Sequence, residues 1–211
     1  MYKRYFKRSL DLFFSIIAGI ISLPIIVIAI FLIKIFDSGP VIFVQNRTGL
    51  NGKVFRMYKF RTMSVNTVDD EGNVLKHNER ISKVGHFLRK TSIDELPQIL
   101  NIIKGDMSFV GPRPWIPEYY KNFNDTQKNR TAVLPGITGL AQAKGRNGLN
   151  IFEKIKYDVE YAENISFRRD VKIILMSIYI ILKREHAEII QEDIQEEIAL
   201  LKENIRNTEQ I

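Results

Sequence analysis

The sequence predicts an α+β fold, mostly helical, in which one domain is fastened to a membrane from one side by an N-terminal re-entrant segment. Three observations carry that expectation. Leu12 to Ile33 is an apolar run of 22 residues without a charge, and a bilayer crossing takes about 20. Val41 to Gln45 and Lys53 to Phe60 read as short strands, which the turn-rich stretch Asn46 to Gly52 joins into a small β-hairpin. Downstream, helical patterns cover Ile81 to Arg89, Glu95 to Lys104, Glu118 to Ala132, Ile151 to Asn164 and Arg168 to Arg184. The expected organisation is a re-entrant membrane helix over 1–36, a body on the cytoplasmic face over 37–185 and an acidic amphipathic C-terminal helix over 186–211.

The apolar run is followed by no small-residue cleavage site and exceeds a usual signal-peptide core, so it is not a removable leader. Lys3, Arg4, Lys7 and Arg8 precede it, and Lys34, Arg47, Lys53, Arg56, Lys59 and Arg61 follow. Positive charge on both flanks assigns both to the cytoplasmic side. A re-entrant hairpin satisfies this, with Pro24 breaking the helix and Ser22 returning a hydrogen bond to the freed carbonyl. A fully spanning helix remains the alternative, because prolines also occur in those.

Beyond the anchor, Ser64 to Glu79 is polar and reads as an exposed loop, and Gly105 closes the helix that ends at Lys104. Gly111 to Pro117 holds three prolines and cannot be regular helix. Leu134 to Gly148 is too glycine-rich for simple packing. Arg168 to Arg184 is nearly all apolar between Lys172 and Lys183, a stretch of only ten residues, too short to span, which suits an amphipathic helix lying in the membrane interface. Ile190, Ile194, Ile198, Leu201 and Ile205 form a helical stripe in the tail, serving either packing or self-association into a homo-oligomer.

Composition narrows the chemistry. The 211 residues contain no cysteine, which excludes disulfides, thiolate catalysis and cysteine-bound metals. The three histidines, His77, His86 and His186, lack metal-ligand spacing, so any metal should be a hard one on oxygen ligands. Residues 186–211 hold two Lys/Arg against seven Asp/Glu, which leaves residues 1–185 about +12 of the net +7. A basic body behind an apolar anchor suits an anionic membrane face and phosphate-bearing substrates. No aromatic and basic nucleic-acid motif accompanies the charge, so nucleic acid is not the expected partner.

The chemistry-bearing motif is Asp94-Glu95-Leu96-Pro97. With Asp94 as N-cap, Pro97 falls in the first helical turn, where its missing N–H costs nothing. Both acids then sit at a helix N-terminus, which holds a carboxylate ionised and attracts phosphate. Alone, the motif reads first as an ordinary cap beside a solvated Glu.

Six segments in order change that balance: Gly39-Pro40-Val41-Ile42-Phe43 with Gln45, Arg47 and Gly49; Lys59-Phe60-Arg61-Thr62-Met63; Leu88 to Gln98; Gly105-Asp106-Met107-Ser108; Gly111-Pro112-Arg113-Pro114; and Pro135 to Gly139 leading to Gln142 and Gly145-Arg146. Together, from Lys7 to about Arg184, they resemble the bacterial sugar transferase family, the monotopic phosphoglycosyl transferases that begin glycan assembly on polyprenol phosphate. The resemblance implies an enzyme on the cytoplasmic face of the bacterial inner membrane. Its reaction would transfer a phosphosugar from a UDP-sugar to polyprenol (undecaprenyl) phosphate, with Mg²⁺, releasing UMP. It matches Asp94 to the family's nucleophile, Glu95 to the partner acid, and Gln142, Arg146 and Gly139 to a nucleotide-binding loop. The family's helix break lies near a Ser-Pro pair, whereas here Leu23 separates Ser22 from Pro24.

The chemistry agrees with that implication. A carboxylate nucleophile divides diphosphate cleavage into two steps through an acyl phosphate. Arg89 and Arg113 are candidates for the phosphates, since a guanidinium matches phosphate oxygens in a fork. Lys59 and Arg61 would share one face of a strand, as phosphate ligands or as an exposed basic row. Mg²⁺ would bridge Asp94 or Glu95 to the diphosphate. Trp115 is either an interfacial anchor or core. The other functions to separate are a glycosyltransferase releasing UDP and a non-enzymatic membrane scaffold.

Overall fold

The computed structural model describes residues 2–37, 39–65, 79–145, 148–183 and 194–209. Helix α1, Lys7–Phe36, follows a π-helical turn at Tyr2–Phe6 and is long and apolar enough to cross a membrane. Its burial is inverted relative to a soluble helix. Lys7, Asp11, Ser15, Ser22, Ala29 and Ile33 face the protein, while Phe13, Phe14, Ile20, Ile21, Leu23, Ile28 and Phe31 are exposed. The inward polar groups are answered: Lys7 Nζ meets Asp170 Oδ2 at 2.6 Å, and Asp11 Oδ1 accepts from Phe109 N at 3.3 Å.

α1 is assigned as one continuous helix with Pro24 inside it, and Pro24 has no N–H to give to the carbonyl of Ile20. Ser22 Oγ donates to Gly19 O at 3.2 Å. The expected bond to the carbonyl freed by proline, that of Ile20, is not the one made, because from position 22 the hydroxyl reaches the carbonyl three residues back. One folded body touches α1 along its length. Arg8 donates to Ile102 O and Ile103 O at 2.5 and 2.9 Å, Gly19 faces Ile99, and Ala29 and Ile33 pack with Phe60 and Leu88.

Strands β1, Ile42–Thr48, and β2, Val54–Phe60, pair antiparallel with Ile42 opposite Phe60 and Thr48 opposite Val54. The expected hairpin is present, each strand shifted at one or both ends. Helix α2, Lys83–Lys90, starts where Ser82 Oγ accepts from Gly85 N at 2.9 Å. A 3₁₀ turn, Ile93–Gln98, then runs into α3, Ile99–Lys104, which Gly105 closes at φ 91°. Asn101 of α3, fully buried, ties the turn region to β2. Its Oδ1 accepts from Tyr58 N at 3.0 Å, and its Nδ2 donates to Arg56 O at 2.8 Å and to Asp106 Oδ2 at 3.1 Å.

A parallel pair that the sequence reading missed, β3, Ser108–Val110, and β4, Gly136–Thr138, joins the proline segment to the glycine-rich one. The expected helix over Glu118–Ala132 is two short ones, α4, Pro117–Lys121, and α5, Asp125–Lys128, followed by a 3₁₀ turn. Phe123 drops into the core between them, and Asn124 and Gln127 form a reciprocal capping box that restarts the helix. Helix α6 is Leu140–Gly145, α7 is Ile151–Glu163 and α8 is Phe167–Lys183. The α8 face bearing Ile174, Leu175, Ile178 and Tyr179 is exposed, as an interfacial helix requires. Helix α9, Ile194–Glu209, lays Ile198 and Leu201 into a cluster with Trp115, Tyr119, Phe123, Ile151 and Ile155. Ile198 and Leu201 of the stripe therefore pack within the chain while Ile194 is exposed, and Trp115 is core. Most of the loop expected over Ser64–Glu79, with His77, His186 and Ile190, lies outside the described residues.

Candidate active site

Asp94 is positioned by a tight reversal. α2 ends at Lys90, Ser92 takes the left-handed conformation at φ 57°, and the 3₁₀ turn follows at once. Such a φ costs a non-glycine residue of order 1–2 kcal/mol; here it lets Arg89 and Asp94 face one point. Asp94 is therefore the second residue of a 3₁₀ turn and not the expected N-cap, which is Ser92. The positive surroundings come from side chains, not from the end of a long helix.

Those side chains are Lys59 from β2, Arg89 from α2 and Arg113 from the proline loop. Lys59 Nζ lies 2.7 Å from Glu95 Oε1, and Arg113 Nη1 lies 4.0 Å from the same oxygen. Arg89 Nε is held on Thr62 Oγ1 at 2.8 Å. Burial lifts the Asp94 carboxyl from 3.8 to about 6; Lys59 opposes the rise, Glu95 adds to it, and Arg89 and Arg113 oppose it. Burial also pulls Arg89 down, against the Asp94 charge. Asp94 is 9% exposed, and no hydrogen bond or ion pair among the described residues engages its carboxylate. A buried, uncommitted carboxylate among three cations is fit to attack or ligate.

A small crevice opens beside it, lined by Arg47, Lys59, Glu95, Gln98, Arg113 and Ile137. Sequence reasoning left Arg47 without a role; its guanidinium bonds Gln45 Oε1 at 2.6 Å and Pro114 O at 3.1 Å. Among the described residues no group of three or more His, Asp or Glu could hold a metal. Asp94 and Glu95 are adjacent carboxylates at this place.

Arg61 does not join the cradle. β2 ends at Phe60, so the alternation that would have aligned Lys59 and Arg61 stops, and Arg61 Nη2 donates to Asp37 O at the end of α1, 3.1 Å away. Gly139 departs from its expected part as well. A Cβ there would lie 2.2 Å from Gly111 O, so its missing side chain admits the proline loop. Gln142 is half-buried on α6, Nε2 to Ile137 O at 3.4 Å, with Oε1 buried and unpartnered among the described residues. Arg146 lies outside the described residues.

The family model for bacterial sugar transferases matches residues 2–184. The chain belongs to that family. It is similar to a galactosyl transferase, CpsE, of Streptococcus agalactiae, 46% identical over 191 residues, covering 83% of this chain and 42% of the relative. It is similar to an uncharacterized sugar transferase, EpsL, of Bacillus subtilis, 43% identical over 179 residues, covering 85% and 88%. A third relative is a UDP-glucose:undecaprenyl-phosphate glucose-1-phosphate transferase of Klebsiella pneumoniae, 42% identical over 183 residues, covering 82% and 39%. The chain thus spans about two fifths of the first and third relatives and most of the second.

Proposed function

We propose that this family member is a phosphoglycosyl transferase that moves a sugar 1-phosphate from a UDP-sugar to polyprenol (undecaprenyl) phosphate, opening glycan assembly. The observation that carries the reading is the Asp94 carboxylate, buried and without a hydrogen-bond partner among the described residues, with Lys59, Arg89 and Arg113 around it. In the first step an Asp94 oxygen attacks the sugar-side phosphorus, the bond to the bridging oxygen breaks, and UMP leaves with that oxygen. An aspartyl-phosphosugar remains. In the second step an oxygen of polyprenol phosphate attacks the same phosphorus, the Asp94–phosphorus bond breaks, and polyprenyl-diphosphate-sugar departs.

Phosphoryl transfer needs charge neutralisation and alignment above all. Lys59 holds Glu95 in place, while Arg113, half-exposed over the crevice, and Arg89 are left to meet phosphate oxygens. Asp94 and Glu95 would hold Mg²⁺, since a hard ion with few protein carboxylates, waters and phosphate oxygens suits this donor pair. Bound there, the ion would neutralise diphosphate charge.

We place the chain at the cytoplasmic face of the bacterial membrane, with α1 re-entrant. Supporting this are the basic flanks on both sides, the lipid-facing apolar surface, and contacts of one body with both ends of α1. A straight 30-residue helix would measure about 45 Å, so a body meeting both ends does not suit a perpendicular crossing.

Nucleotide release tests the reaction. The purified protein in detergent, with Mg²⁺, a short polyprenol phosphate and a panel of UDP-glucose, UDP-galactose and UDP-N-acetylglucosamine, should release UMP from at least one donor. Release of UDP would identify a transferase that moves the sugar alone, and no nucleotide release from any donor would favour a scaffold.

A further inference from the structure

The segment that presents Arg113 has no regular structure, yet its carbonyls are held from four directions. Pro112 O accepts from Gly136 N at 3.0 Å, Arg113 O from Arg130 Nη2 at 2.8 Å, Pro114 O from Arg47 Nη1 at 3.1 Å and Trp115 O from Thr48 N at 2.8 Å. Arg130 differs from the other three in being a charged side chain sunk in the core, 2% exposed. Its Nε and Nη2 both donate to Asp158 Oδ2, at 3.1 and 2.5 Å, and its guanidinium stacks 4.1 Å from the Trp115 ring. Asp158 is 1% exposed, and burial pushes its carboxyl up against the opposing charge of Arg130.

A buried ion pair is an inefficient stabiliser, because desolvation offsets the attraction, and apolar replacements of similar volume are often as stable or more so. What this pair achieves is geometric. One nitrogen, Nη2, serves Asp158 and the Arg113 carbonyl together, so the carboxylate aims the guanidinium and the guanidinium fixes the loop. Arg113 is thereby anchored through its own peptide while its side chain stays half-exposed, 4.0 Å from Glu95.

We propose that Arg130, oriented by Asp158, is a positioning residue for phosphate transfer: it sets the backbone of Arg113 and hence where that guanidinium meets the donor diphosphate. It does not line the crevice beside Glu95, although it lines a neighbouring one with Pro112 and Arg113, and it acts on the reaction through Arg113. The proposal rests on reading Arg113 as a phosphate ligand.

Two experiments on the full-length protein in detergent test it, each reading UMP release from whichever UDP-sugar of the panel the wild type turns over. The first is a double-mutant cycle. Arg130→Lys keeps the charge opposite Asp158 but lacks the fork needed to reach Arg113 O as well. It should lower kcat/KM about tenfold, chiefly through a higher KM for the UDP-sugar, with KM for polyprenol phosphate unchanged. In an Arg113→Lys background the same substitution should cost less than threefold. An equal loss in both backgrounds would mean that Arg130 only supports the core, and would overturn the proposal.

The second guards against misfolding. Replacing the pair together, Arg130→Met with Asp158→Leu, removes both charges and should leave the thermal midpoint at or above the wild type. Activity should still fall about tenfold or more. Wild-type kcat/KM in that folded double variant would overturn the proposal and leave the reading of the reaction intact. If the wild type released no UMP from any donor, the reading of the reaction would fall, and the proposal with it.

Discussion

At the scale of single residues, the charges around Asp94 should be legible in its titration. The attacking form is the carboxylate, so kcat/KM should fall on the acid side; burial raises the metal-free carboxyl to about 6, and Mg²⁺ held beside it would move the limb lower. Lys59 holds that value down and Glu95 pushes it up, so two substitutions should move the acid limb in opposite directions. Lys59→Met should shift it to higher pH and Glu95→Gln to lower pH, each with reduced turnover; a common direction would mean that Asp94 is not the group titrating. Stability carries the same signature. A carboxyl raised from 3.8 to about 6 disfavours the folded state by something on the order of 3 kcal/mol once ionised. This cost is absent below about pH 4 and develops as pH rises through 6. Asp94→Asn should therefore melt several degrees above the wild type at pH 8, with the gap closing towards pH 4. A wild type that stays the more stable of the two at pH 8 would contradict the burial argument.

Elements differ in how much of them the sequence could disclose. The hairpin, α2, α7 and α8 follow from periodicity and caps, and their ends move by a few residues. β3 and β4 were invisible because three-residue strands embedded in proline and glycine carry no alternation; they exist because Gly111 and Gly136 let two backbones touch. Arg130 belongs to none of the six motif segments, and only the fold shows Asp158 beside it. α1 yields a direct topological expectation. Single cysteines at the exposed positions Tyr5 and Pro40, in a chain with no native cysteine, should both resist a membrane-impermeant reagent applied to intact cells and both react once cells are opened. Reaction of one position alone in intact cells would favour a spanning helix. For α9, Leu201→Ala should cost about 2–5 kcal/mol, read as a lower thermal midpoint, because Leu201 is fully buried in the chain's own core. An unchanged midpoint with a loss of self-association would assign the stripe to another copy.

Across the whole molecule, the pattern is a body whose polar interior continues into its membrane helix. Lys7 and Tyr2 meet Asp170, Tyr161 bonds both Asp170 and Val110 O, and Val110 leads directly into the loop that bears Arg113. The anchor and the site are thus joined by hydrogen bonds through α8 and β3. Sequence motifs disclosed that Lys59, Arg89, Asp94, Glu95 and Arg113 belong together, since each stands in a dense motif. They could not disclose that Arg61 turns away to the end of α1, because that depends on where β2 stops.

The central claim is that Asp94 forms a covalent bond to the phosphosugar, and intact-protein mass measures it most directly. Incubated with Mg²⁺ and a competent UDP-sugar but no lipid, the wild type should gain the mass of one phosphosugar and release UMP. Addition of polyprenol phosphate should discharge the adduct, and Asp94→Asn should show neither adduct nor UMP. If the wild type turns over with both substrates yet acquires no adduct with donor alone, or if Asp94→Asn remains active, the lipid phosphate attacks the donor directly and the covalent account is wrong.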